Sequence, residues 1–168
     1  MFKFITKIKK NKRLRVVRNL LLIFFQRFKE NINYKKIKKA KINFIVERAN
    51  WAIKWDGIYI TKSLNRFLDN KTSKISEIPH LNSENKVIHF ASQYMWLDWQ
   101  KLLPKNIKYI VSFFHGKPED SDEVAKHIHD FVKTKNEIYK VITASSLVYK
   151  RLIKWGIPSN KLVLIHTG

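Results

Sequence analysis

Apolar residues recur along this chain in two rhythms. From Leu14 to Phe28 they return every three or four positions, as Leu14, Val17, Leu21, Phe24 and Phe28, with Phe25 alongside. That spacing predicts an amphipathic helix over 14–28. Its opposite side carries Arg15, Arg18, Asn19, Gln26 and Lys29, interrupted by Leu22. A polar, basic linker follows over 35–41. Beyond it the rhythm changes to short, continuous apolar runs at 42–46, 87–91, 109–114, 140–143 and 162–166, rich in Val, Ile or Phe. Runs of that length and composition read as strands of a parallel sheet buried on both faces.

Helical patterns alternate with these runs. The segment 57–68 places Ile58, Leu64 and Leu68 on one side, and 94–103 holds an aromatic cluster. The segment 120–135 follows Pro118 and opens with acidic residues, which suits the positive end of a helix dipole. The segment 145–155 stops at Gly156, with Pro158 just beyond. The polar stretch 69–85 reads as a loop with at most one short strand. The predicted fold class is therefore α/β: a Rossmann-like parallel sheet with helices on both faces, plus a basic amphipathic N-terminal helix. The domain reading is a basic segment over 1–41 and a Rossmann-like domain over 42–168.

Charge sharpens that division. The 168 residues carry 34 Lys and Arg against 13 Asp and Glu. Residues 1–41 hold 15 of those bases and one acid, Glu30. A quarter of the chain thus carries most of the excess, which points to a polyanionic surface as its partner. The apolar heart of the helix, 20–25, is too short to cross a bilayer but suits a helix lying in the interface. Arg15, Arg18, Phe24, Phe25 and Phe28 are its candidate membrane-surface residues. A helix packed on the domain and a nucleic-acid arm are the competing readings. The basic start and short apolar run allow a signal peptide on paper, but 26–30 is bulky and charged where a small-residue cleavage site should be.

The sequence argues against several chemistries. There is no cysteine, hence no disulfide, thiolate metal site or cysteine nucleophile. No G-x-G-x-x-G follows the first strand, no P-loop is present, and G-x-S-x-G is missing. His127 and His129 stand two apart on a predicted helix and point away from each other, so they do not share a metal. The expected ligand edge is the carboxyl end of the strands. There lie Glu47 with Asn50, then Gln93, then His115 and Gly116, then Ser145 and Ser146, and finally Thr167 and Gly168. The segment 50–57, with Trp51, Trp55 and Asp56, reads as a loop that either contacts ligand or serves structure. His115 either meets a ligand or satisfies a loop carbonyl.

The last third carries a resemblance. Val141-Ile142-Thr143-Ala144-Ser145-Ser146, then Leu152, then Trp155-Gly156-Ile157-Pro158, then the segment from Lys161 to Gly168, is similar to the end of an N-terminal domain in GT-B-fold glycosyltransferases of the group 1/family 4 type. The segment from Tyr109 to Gly116 resembles that family's strand ending in His-Gly or His-Asp. The resemblance spans roughly 42–168. It implies an acceptor-side domain that works against a second Rossmann-like domain holding most donor contacts. It implies that His115 faces the donor sugar, that Thr167 and Gly168 open the interdomain hinge, and that no metal is needed. The glycine pair that many members carry after the first strand is missing here.

The function expected from this resemblance is the N-terminal half of a nucleotide-sugar-dependent glycosyltransferase in surface polysaccharide, lipopolysaccharide or glycolipid synthesis. It would be inactive without its second domain. No cofactor is expected on this part of the enzyme. The expected partners are that missing C-terminal domain, an anionic membrane surface and a sugar or lipid-linked acceptor, at the cytoplasmic face of the cell membrane. A nucleic-acid-binding basic protein is the alternative from another class, although the mixed charge beyond residue 41 argues against it. A subunit that completes its cleft with another chain is the third.

Overall fold

The computed structural model describes residues 12–32, 41–47, 52–67, 73–79, 87–114 and 117–165. In chain order the elements are α1 (Lys12–Ile32), β1 (Ile42–Ile45), α2 (Ala52–Phe67), β2 (Ser73–Ser76), β3 (Val87–Phe90), α3 (Gln93–Trp99), β4 (Lys108–Ser112), α4 (Asp122–Lys133), β5 (Lys140–Thr143), α5 (Ser146–Lys154) and β6 (Leu162–Leu164). Short 3-10 turns follow α3 and precede α4 and β6. All six strands are parallel, in the order β2-β1-β3-β4-β5-β6. This is a Rossmann-like α/β fold.

The chain steps from β1 outward to β2, crosses to β3, and then proceeds the other way to β6. Right-handed crossovers therefore send helices to opposite faces on the two sides of β1. One face holds the main core. Ile45, Ile88, Phe90, Tyr109, Val111, Phe113, Val141 and Leu162 meet Trp96 and Trp99 of α3, Ile128 and Phe131 of α4, and Val148 and Leu152 of α5. Phe90 and Trp96 pack edge-to-face with ring centroids 5.5 Å apart. On the other face α2 covers β1: Phe44, Val46 and Ala91 meet Ile53. By register, His89, Ile110, Ile142 and Val163 share that second face and remain only partly buried.

Caps set the helix starts. Ser92, Ser121 and Ser145 each accept a backbone N–H from Met95, Val124 and Val148. The stop of α5 also follows its sequence. Gly156 sits at φ +92, where a side chain would be strained. Three lysines tie loops together. Lys161 donates to the carbonyls of Lys135 and Ile138, Lys135 to that of Gly156, and Lys140 to that of Asn160.

Most element boundaries differ from the sequence reading by one to five residues. The stretch 69–85 contains the one short strand that the sequence reading allowed there, β2, at the sheet edge. It has one apolar residue, Ile75, so periodicity alone gives little signal. Its place comes from tertiary bonds: Asn65 of α2 accepts from the Ser73 N–H at 2.8 Å and donates to the Ser73 carbonyl at 3.0 Å. Helix α2 begins at Ala52, five residues earlier than predicted, because Gly57 is a packing glycine inside the helix and not the end of a loop. Strand β6 ends at Leu164, although Ile165 still donates to the Thr143 carbonyl.

Helix α1 docks on the domain. Arg15 donates to the Asp98 carboxylate of α3 at 2.8 Å, and the Asn19 amide donates to the Asp98 carbonyl at 2.8 Å. Leu22 and Ile23 pack against the main core. The predicted apolar stripe is not on this side. Leu14, Val17, Leu21, Phe24 and Phe25 are all exposed, Phe24 by 66%, whereas Asn19 is 0% exposed.

Candidate functional site at the carboxyl edge of the sheet

In open parallel sheets the ligand crevice lies where neighbouring strands send their chains in opposite directions. Here that point falls between β1 and β3, because β1 leads to β2 on one side and β3 leads to β4 on the other. The ladder runs one residue past both strands: Ala91 donates to the Ile45 carbonyl at 3.0 Å, and Val46 donates to the Ser76 carbonyl at 2.9 Å. The chain then opens at Glu47 on one lip and at Ser92 and Gln93 on the other.

Gln93 is a buried polar side chain on this edge. It is fully buried, and its Oε1 accepts the backbone N–H of Phe114 at 3.4 Å. It thereby ties the exit of β3 to the exit of β4. Ser92 beside it is buried and spends its hydroxyl on capping α3. Glu47 is half-buried. Ser145 stands at the exit of β5, half-buried and used as the cap of α5, and Ser146 is exposed. Glu47, Gln93, Ser145 and Ser146 thus share one edge of the sheet.

Trp55 and Asp56 do not stand on a strand-exit loop. Both lie within α2 and are exposed. At about 100° per residue, Trp55 is turned away from Gly57, the residue that meets the sheet. It neighbours Tyr59 on the outer side, with ring centroids 6.4 Å apart. Asn50, Trp51, His115, Gly116, Thr167 and Gly168 lie outside the described residues. Phe28 falls within α1, and its side chain is likewise not described.

A further polar pair went unread in the sequence. His89 of β3 and Ser112 of β4 meet with Nε2 and Oγ 2.9 Å apart. Phe44 packs edge-on against the imidazole at 4.4 Å. Burial pushes the His89 pKa down to about 4, so the ring is neutral near pH 7. The available signal was a histidine inside the apolar run Val87-Ile88-His89-Phe90. His127 stacks on Tyr94 at 3.9 Å, and His129 is exposed.

The chemistry of this edge follows from its groups. A buried amide, the exposed Ser146 hydroxyl and the half-buried Glu47 carboxylate are polar groups on it, able to donate and accept neutral hydrogen bonds and to supply one charged acceptor. Among the described residues no group of three His, Cys, Asp or Glu is placed to hold a metal ion. Among the described residues no helix is long and apolar enough to cross a membrane. In comparisons with known proteins, no family model matches the chain and no curated protein matches it.

Proposed function

We propose that the chain is the acceptor-side, Rossmann-like half of a nucleotide-sugar-dependent glycosyltransferase, working at the inner face of the cell membrane on a saccharide or lipid-linked acceptor. In this reading a second domain supplies the donor contacts, and the carboxyl edge around Glu47 and Gln93 receives the acceptor hydroxyls. The observation that carries it is the β5–α5–β6 unit. A strand ends in Thr143, Ser145 caps the helix, Gly156 stops it in the left-handed region, and Ile157-Pro158 leads into β6. That unit is the segment whose sequence resembles the end of a glycosyltransferase N-terminal domain. The hydroxyl and amide character of the opposite lip is consistent with a sugar ligand.

The test is side-chain amide NMR on the purified chain. Addition of a glycolipid or oligosaccharide acceptor moves the Phe114 N–H and the Gln93 side-chain amide that holds it, and Glu47→Ala weakens binding by about tenfold, the loss of one hydrogen bond to a carboxylate. Silence of these signals toward saccharides, together with salt-sensitive RNA retention that needs the folded domain, overturns the reading in favour of nucleic-acid binding.

A further inference from the structure

The two sides of α1 are used the wrong way round for a helix that serves only the fold. A surface helix normally turns its apolar stripe to the core and its polar side to water. Here the side built around Asn19 faces the domain. Arg15 and Asn19 hold Asp98, and Leu22 and Ile23 fill in beside them. Taking about 100° per residue, Val17, Leu21 and Phe24 fall roughly opposite Asn19. All three are exposed, as are Leu14, Leu20 and Phe25. The domain thus holds the apolar stripe outward. A contiguous exposed stripe of this kind marks a docking surface.

Charge selects the occupant. The stripe belongs to a segment with 15 Lys and Arg and one acid over residues 1–41. A protein partner or a second copy of this chain would have to bring the same basic segment, or a matching acidic one, to the contact. An anionic bilayer offers both parts at once: acyl chains for Leu21, Phe24 and Phe25, and phosphate headgroups for the bases at their flanks.

We infer that the outward stripe of α1 seats in an anionic phospholipid surface, and that the Arg15–Asp98 and Asn19–Asp98 bonds are a clamp that fixes the domain's orientation on it. The inference rests on the membrane part of the reading above and not on sugar transfer. The clamp has a consequence for the site. Asp98 lies on α3, and α3 begins at Ser92 and Gln93 on the lip of the sheet edge. Membrane seating is therefore transmitted to the helix that carries Gln93, rather than to a loose tether.

Co-sedimentation of the full chain with phosphatidylcholine vesicles, with and without phosphatidylglycerol, tests the docking face without any sugar ligand. The wild-type chain pellets with the anionic vesicles, and raised salt weakens this. Phe24→Ser/Phe25→Ser lowers that affinity by about tenfold or more, at an unchanged urea midpoint, because both side chains are already exposed. Equal binding to neutral vesicles, or unchanged binding by the double variant, overturns the proposal. So does a wild-type dimer that this variant splits without altering vesicle binding, which would assign the stripe to a second copy.

Hydrogen exchange tests the clamp. Vesicles slow exchange across 93–99 in the wild-type chain. Arg15→Ala/Asn19→Ala still binds vesicles but loses that protection. Wild-type exchange in α3 that ignores the vesicles, or protection that survives in the variant, overturns the positioning role. Failure of saccharide binding at Gln93 leaves each of these outcomes as it is, so the two readings fail separately.

Discussion

The indole of Trp96 on α3 donates its Nε1–H to the Thr134 hydroxyl at 2.7 Å, deep between α3 and the end of α4. The same hydroxyl donates to the Phe131 carbonyl at 2.7 Å. Trp96 is 0% exposed, so its N–H has no water to fall back on. One threonine thereby satisfies the largest fully buried side chain among the described residues and closes the C-terminal turn of α4.

Thr134→Val keeps the shape and removes both bonds. The buried indole N–H is then left without this acceptor, at a cost of about 1–3 kcal/mol. A urea unfolding series reads this as a lower midpoint at unchanged slope. Trp96→Phe/Thr134→Val is expected to cost less than the sum of the two single changes, because the orphaned donor goes with its acceptor.

Gly57 is the point where α2 presses on β1. A Cβ there would stand 2.6 Å from Val46 Cγ1 and 3.0 Å from Phe44 Cδ1. Alanine gains about 1 kcal/mol of helix propensity. Overpacking against a stiff valine and a buried ring costs about 1–3 kcal/mol. The difference leaves Gly57→Ala destabilising by up to about 2 kcal/mol. Val46→Ala in the same chain recovers part of that loss, measured as a double-mutant cycle.

Asn65 imitates a neighbouring strand for Ser73, giving and receiving one hydrogen bond each. Asn65→Leu leaves both Ser73 backbone groups without that partner, at a cost of about 1–2 kcal/mol. The loss is local to the edge. Hydrogen exchange quickens at 73–76 first, whereas β3 and β4 keep their protection.

The His89 ring sets a pH dependence. Burial lowers its pKa from 6.5 to about 4, so between those values the unfolded chain binds more protons than the folded one. Stability therefore rises with pH across that window. The contribution is complete above pH 6.5 and falls away as the pH drops toward 4. The shift is worth up to about 3 kcal/mol, reduced by the solvent contact the ring retains. Urea midpoints taken through the window check the slope, and His89→Leu is expected to flatten it.

Much of the fold was legible because buried parallel strands announce themselves as continuous apolar runs. The strand 140–143 was read to the residue, and the others to within one or two. β2 was legible only as one short strand somewhere in 69–85 and its place was not, because Ser73-Lys74-Ile75-Ser76 is held by Asn65 and by pairing to β1 rather than by its own hydrophobicity. The start of α2 was obscured by Gly57, which reads as a loop signal until the close approach of Val46 is seen. On the sheet edge, Gln93 was found from its place after an apolar run. The His89–Ser112 contact was not, since it joins two strands 23 residues apart.

By itself the sequence determined the alternation of strand and helix, the helix caps and stops, and the existence of an apolar stripe beside a basic one in α1. These are local properties, written in spacing and in the conformational preferences of single residues. Only the tertiary structure decided which side of α1 meets the domain. Periodicity defines a face but not what stands opposite it. That depended on Asp98, which reaches Arg15 and Asn19 from across the chain and turns Leu21, Phe24 and Phe25 outward.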